Sequence, residues 1–249
     1  MNEDIIVTKR EILLSVAIIC VMLLVGFLIS DKINDSIMTK QQEYNTALQI
    51  NGDKEMFEYG MRTNIGNAFV YGDLKAVDTV TYDEIGGNYS YVKKVKEKYT
   101  RHTRTVTKTD GEETWTETEV YYTWDAVDSE DKHSNKITFV GVTFNYGTID
   151  FPGSSHITTI KESNKIRYVY YGAPSECKGT LYTNLNNGTI NDSSFYHYNT
   201  IDETLEIVTS NASLWLFWIF WIFLTAGVVF GFYVLDNDWL EDKLHWRRS

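Results

Sequence analysis

Two long runs without a charge bracket a chain in which polar and apolar residues otherwise alternate closely. Residues 12–30 read ILLSVAIICVMLLVGFLIS and residues 214–235 read LWLFWIFWIFLTAGVVFGFYVL. About 20 helical residues cross a hydrocarbon layer of roughly 30 Å, and only a helix closes its own backbone hydrogen bonds over that distance. The pattern therefore predicts two transmembrane helices. The first run exceeds the apolar core of a signal peptide, and no small-x-small site follows at Ser30-Asp31-Lys32, so it reads as an uncleaved anchor. Beyond it, Ile33, Ile37, Tyr44 and Leu48 recur near helical spacing and extend the helix into a stalk that Gly52 breaks. A second helical stretch is predicted at 53–65, with Met56, Phe57 and Met61 on one side. At the far end Thr200-Ile-Asp-Glu203 has the form of a capping box, which starts a short helix leading to the second run.

Between these helices the period changes to two. Residues 93–125 carry the clearest signal, two alternating segments around Asp110-Gly111, which predicts a type I′ hairpin turn. With Asp110 and Gly111 as the two central residues, Lys108 faces Glu113, Arg104 faces Glu117, His102 faces Glu119, Val106 faces Trp115 and Tyr99 faces Tyr122. A basic strand then lies against an acidic one, and such cross-strand pairs contribute roughly 0.2–1 kcal/mol each. Further strands are expected at 137–144, 156–161 and 165–171, with Gly141 at a bulge or close approach. Residues 183–197, rich in Asn, Gly and Ser, read as loop. The fold class expected is a membrane protein with two transmembrane helices flanking an α+β, mainly antiparallel-β extracytoplasmic domain. Its divisions are an N-terminus at 1–11, spans at 12–30 and 214–235, a stalk and membrane-proximal helix at 31–66, a β-rich domain at 67–199, a membrane-proximal helix at 200–213 and a tail at 236–249.

Charge sets the orientation. Lys9 and Arg10 precede the first span, and Lys243, Arg247 and Arg248 follow the second, while its other flank holds Asp202, Glu203 and Glu206. The positive-inside rule places both termini in the cytoplasm and residues 31–213 outside. Trp215, Trp239 and Trp246 are the expected interface anchors, since indole rings favour the headgroup layer. Gly227 and Gly231 stand four apart, a spacing that lets two helices pack closely, so they are the candidate packing seam, with the first helix or a second copy. The net charge of −11 argues against a nucleic-acid partner, because phosphate binding needs a cationic surface. Lys93, Lys94, Lys96, Lys98, Arg101, Arg104 and Lys108 resemble a basic patch only until their acidic partners across the hairpin are counted.

Chemistry-bearing patterns are sparse. Asp125, Asp128, Glu130 and Asp131 form an acidic cluster read as a solvated loop after the hairpin, since its spacing is not that of a calcium loop. His102, His133, His156 and His197 lack metal-ligand spacing, and no HExxH, GxSxG, Walker A or GxGxxG pattern occurs. No catalytic residue, metal site or cofactor is predicted. Cys20 lies in the first apolar run, so Cys177 reads as a buried thiol or as a partner for another chain. Four sequons, at Asn88, Asn187, Asn191 and Asn211, read as incidental in an Asn-, Ile-, Lys- and Tyr-rich composition.

The stretch TRHTRTVTKTDGEETWTETEVYYTWDAV, with KITFVGVTFNYGTIDFPG, IRYVYYGAP and the Trp-rich second run, resembles uncharacterised two-span membrane proteins of Gram-positive (Firmicutes) bacteria and their prophages. Residues 69–76, FVYGDLKA, followed by Tyr91 and the charged hairpin, are more distantly similar to GIDE-type domains, β-rich modules held beside a membrane. That second resemblance implies a membrane-proximal β fold and a protein-binding role, and carries no catalytic residue across. The expected function is a noncatalytic, envelope-anchored binding or scaffold protein. Its partners are the lipid bilayer and either another protein or its own copies. The candidate contact is the hairpin tip at Lys108, Asp110, Gly111 and Glu113. An oligomeric channel subunit and a surface enzyme are the alternatives.

Overall fold

The computed structural model describes residues 9–111 and 113–246. The chain divides into two compact units, residues 47–204 and the paired ends 1–46 with 205–249. In the second of these, α1 (Lys9–Thr46) and α4 (Ala212–Trp246) are both long and apolar enough to cross a membrane. They run antiparallel. Gln41 donates to the Thr209 carbonyl at 2.6 Å near one end, and Arg10 pairs with Asp236 at 2.7 Å near the other. Between those points Phe27 meets Trp218 edge-on, and the Trp221 indole N–H donates to the Met22 carbonyl at 2.9 Å.

The close approach of the two helices falls at Gly26, where an added Cβ would lie 2.5 Å from the Trp221 indole nitrogen. At Gly227 and Gly231 an added Cβ would meet nothing within 4 Å. The glycine that admits the neighbour is thus on the first helix, and a tryptophan fills the gap it leaves. Trp215 is 73% exposed at the start of α4. Trp239 and Trp246 lie outside the residues whose side chains are described.

Among the described residues the other unit holds ten strands. One sheet has the order β10-β9-β2-β5-β6, with β1 added in parallel to β2. Its members are β1 (Leu48–Asn51), β2 (Gly66–Ala76), β5 (Lys136–Phe139), β6 (Val142–Asn145), β9 (Glu176–Asn186) and β10 (Thr189–His197). Helix α2 (Lys54–Thr63) covers it and drives Phe57 and Met61 into a core with Ile50, Val70, Leu74 and Leu181. Asp53 caps α2 by accepting from the Met56 N–H, as short acceptors at that position do. Met56, expected on one side with Phe57 and Met61, is 38% exposed while those two are buried. The second sheet runs β4-β3-β8-β7, from β3 (Tyr89–Asp110), β4 (Glu113–His133), β7 (Ser155–Lys161) and β8 (Ile166–Pro174). Every pairing but β1–β2 is antiparallel.

Several expectations need correction. Leu48 does not continue the stalk but opens β1, because Ile50 gains a fully buried seat beside β2. The strand expected at 137–144 is a hairpin, β5–β6, turned by Val140 and Gly141 at φ 47° and 73°. The expected loop at 183–197 is the β9–β10 hairpin, turned by Asn187-Gly188 at φ 53° and 72°. Asn-Gly is a strong mirror-image turn signal, and the polar composition around it hid it. The capping box forms as expected. Thr200 N–H donates to Glu203 at 2.8 Å, which holds that carboxyl below its usual range, and α3 (Ile201–Val208) follows.

Candidate interaction surface on the long hairpin

Strands β3 and β4 are 22 and 21 residues long, more than the body of the sheet can use. Strand β8 pairs with β3 from Tyr89 only to Lys98, with Tyr99 N–H reaching Lys165. From Thr100 to the turn, β3 pairs with β4 alone, and among the described residues no strand lies on the outer edge of β4. The hairpin thus continues as a two-stranded ribbon.

Its register differs from expectation by two residues. Asp110 pairs with Glu113, so Asp110 ends the ladder and the turn is not centred on Asp110-Gly111. Gly111 has φ 64°, which a mirror-image turn demands of its first central residue and which glycine adopts without a Cβ clash. Lys108 therefore faces Trp115, Val106 faces Glu117, His102 faces Tyr121 and Arg104 faces Glu119. A shift of two leaves every side chain on its own face, so the charge pairing survives with changed partners. Arg104 donates twice to Glu119, at 2.9 and 3.0 Å, and Lys108 reaches diagonally to Glu117. His102 meets Asp125 at 2.7 Å, and hydrogen bonds from Thr123 and His102 hold that carboxyl low. The tip residues Lys108, Asp110, Gly111 and Glu113 are all exposed.

The two faces differ in chemistry, which the sequence reading overlooked. Even positions of β3 and odd positions of β4 carry the ion pairs just described. The opposite face begins at the body with Tyr99 beside Trp124, and Arg167 stacks over that indole at 4.4 Å while pairing with Glu97. Arg101 faces Tyr122 and Thr103 faces Val120. Three successive threonine pairs complete the face: Thr105 with Thr118, Thr107 with Thr116 and Thr109 with Thr114. Arg101 is the one charge on this face of the ribbon among the described residues. The signal was present in the alternating threonines of TRTVTKT and TWTETEV.

The acidic cluster is not a loop. Asp125, Asp128, Glu130 and Asp131 lie within β4, whose bulge opposite Lys96 and Glu97 absorbs one extra residue. Among the described residues no group of three or more His, Cys, Asp or Glu side chains is placed to hold a metal. An aromatic cage does occur, but the chain fills it. Lys94 lies 4.9 Å from the Tyr168 ring and within 5.8 Å of Tyr82 and Tyr170, and is anchored at 2.9 Å by Glu84. That bond raises the Lys94 pKa, and burial raises the phenols of Tyr82 and Tyr170. Cys177 is free and 6% exposed, and burial pushes its thiol up.

One carboxylate joins the two sheets. Asp78, just after β2, accepts from the Asn135 and Lys136 N–H groups and the Ser134 hydroxyl at 2.7–3.1 Å. The Asn135 N–H first, then Ser134 and Lys136, hold its pKa far below the ordinary carboxylate range. It clamps the segment that leaves β4 and enters β5. A cleft of about 390 Å³ opens on the first sheet, lined by Tyr71, Gly72, Asp73, Lys75, Val140 and Lys178. Lys75 already pairs with Glu176, and Lys178 lies over Tyr71.

No family model matches the chain, and no match was found among curated proteins or solved structures.

Proposed function

We propose that this is a noncatalytic binding or scaffold protein, anchored by two spans in the bacterial envelope, that makes its contact through the distal β3–β4 ribbon. The observation that carries the reading is the ribbon itself, eleven residues of β3 (Thr100–Asp110) paired with β4 and with no other strand. An isolated two-stranded hairpin is marginal in water, so a long one held only by its own rungs is explained by a surface it meets. The ion pairs on one face support an arm whose charges are already spent, not a site that awaits an anion. Both termini are placed in the cytoplasm and residues 31–213 outside, a reading supported by Lys9, Arg10, Lys243, Arg247 and Arg248. The resemblance to prophage-borne two-span proteins supports a role in the envelope of a host cell. Among the described residues, the groove along the helix pair is lined by apolar side chains such as Ile19, Leu23 and Val229, which favours an anchor over a pore.

The test is a graft. Replacing Lys108–Glu113 by a shorter neutral turn is expected to abolish recovery of partners by the full chain from its own membranes. Undiminished recovery overturns the assignment of the contact to the tip.

A further inference from the structure

Three asparaginyl- or aspartyl-glycine pairs stand exposed at turns of the chain: Asn51-Gly52, Asp110-Gly111 and Asn187-Gly188. Their glycines have φ of 69°, 64° and 72°, so backbone conformation does not separate them. In such a pair the glycine nitrogen, unshielded by a Cβ, can close a five-membered ring on the carbonyl carbon of the preceding side chain. In an unfolded chain at neutral pH an asparagine amide undergoes that closure faster than an aspartate, because an ionised carboxylate is the poorer electrophile. By sequence, Asn51 and Asn187 are therefore the labile positions.

Hydrogen bonds reverse this order. To attack, the glycine nitrogen must give up its N–H and turn its lone pair toward the side chain. The Gly52 N–H donates to the Tyr71 carbonyl at 2.9 Å, and the Gly188 N–H donates to the Met61 carbonyl at 3.1 Å. The Asn187 N–H is held as well, by the Asn64 side chain at 2.8 Å. Both asparagine turns are thereby tied to packed elements, one to β2 and the other to the end of α2, and attack there must first break the bond. The Gly111 N–H has no acceptor among the described residues. It stands at the end of a ribbon of two strands, where local opening costs little.

We propose that Asp110 is a site of spontaneous backbone rearrangement to isoaspartate, the one of the three pairs that the fold leaves reactive. The Gly111 nitrogen bonds to the carboxyl carbon of Asp110, and the carboxyl hydroxyl leaves with the amide proton as one water. A second water opens the resulting five-membered imide. Entry at the main-chain carbonyl gives isoaspartate, and entry at the side-chain carbonyl restores aspartate. Nothing is oxidised or reduced, and water is the only co-reactant. Isoaspartate inserts a methylene into the main chain beside the Asp110–Glu113 rung, so the tip changes shape as the protein ages. This holds whether or not the tip meets a partner.

The experiment keeps the full chain in detergent at neutral pH in heavy-oxygen water, then digests it in ordinary water, so that conversion during digestion carries no label. Each ring opening leaves one heavy oxygen at its site, which tandem mass spectrometry assigns to Asn51, Asp110 or Asn187. Electron-transfer fragmentation separates isoaspartate from aspartate. In the folded protein, label at Asp110 is expected to exceed that at either asparagine several-fold, with isoaspartate among the products. In the chain unfolded by guanidinium, Asn51 and Asn187 are expected to overtake it. Gly111→Asn keeps a residue that tolerates positive φ but shields the nitrogen, and is expected to lower the label at Asp110 several-fold. Equal label at Asp110 and at either asparagine in the folded protein overturns the inference, as does an Asp110 that takes up none. An order left unchanged by unfolding, or undiminished label in Gly111→Asn, overturns it too.

Discussion

Asp78 shows how one residue ties distant strands. Its carboxylate replaces several backbone partners that the chain needs where it passes from one sheet to the other. The folded pKa lies below the unfolded value, 3.8 for a free side chain. Its contribution is therefore complete above that value and is lost as pH falls through it toward the folded pKa. Asp78→Asn keeps the shape and removes the charge. The variant is expected to unfold earlier in urea at neutral pH, and its deficit against the native protein is expected to shrink between about pH 5 and pH 2. A deficit that stays constant over that range would show that the charge is not what Asp78 supplies. Nothing in the local sequence marks this residue, because its partners lie nearly sixty positions away.

At the scale of an element, the β5–β6 hairpin is held in an unusual way. Val140 occupies the left-handed region at φ 47°, which costs a β-branched residue about 1–3 kcal/mol. Its side chain sits over Gly72 of β2, where an added Cβ would lie 2.5 Å from the Val140 methyl. Turn and strand are thus fitted to one another. Gly72→Ala is expected to cost about 1–3 kcal/mol through overpacking, and most of that cost is expected to vanish in a Val140→Gly background. Denaturation of the four proteins of this cycle measures the coupling, and simple additivity would refute the contact. The same element explains a misreading. The sequence KITFVGVTFN alternates on both sides of Val140-Gly141 with a slip of phase there, and valine in a glycine-like conformation is a weak turn signal beside that apolar run. The Asn187-Gly188 turn had a strong one, but the surrounding Asn, Ser and Thr read as loop, because β10 is half-exposed and lacks a dense apolar stripe. In the long hairpin the turn was legible to within two residues. Asp110-Gly111 is an acceptable turn centre by itself, and it is the pairing of the rungs that sets Asp110 opposite Glu113 instead.

For the whole molecule, the pairing of the two apolar helices turns on Gly26. Gly26→Leu would force the Trp221 indole away and break its bond to the Met22 carbonyl. The expected result, in detergent, is a helix pair weakened by about 1–3 kcal/mol, with altered near-ultraviolet circular dichroism from its tryptophans. Gly227→Leu and Gly231→Leu, which face open space within the chain, are expected to leave both unchanged. A loss from Gly227→Leu equal to that from Gly26→Leu would return the seam to the place the spacing suggested.

Hydropathy was enough to find the two apolar helices, the β-rich stretch between them and the opposite charges of the long hairpin. Each of these is written in a few neighbouring residues, as a run without charge or a period of two. The spacing of small residues could not choose between Gly26 and Gly227, because which glycine is used depends on what the other helix presents. Nor could it find β1, the Asp78 clamp or the seat of Val140 on Gly72, where the partners are far apart in sequence and meet only by folding. The threonine face of the ribbon stands between these cases. Its residues alternate in plain view, but only the tertiary structure shows that the ribbon runs on past β8 with those threonines exposed.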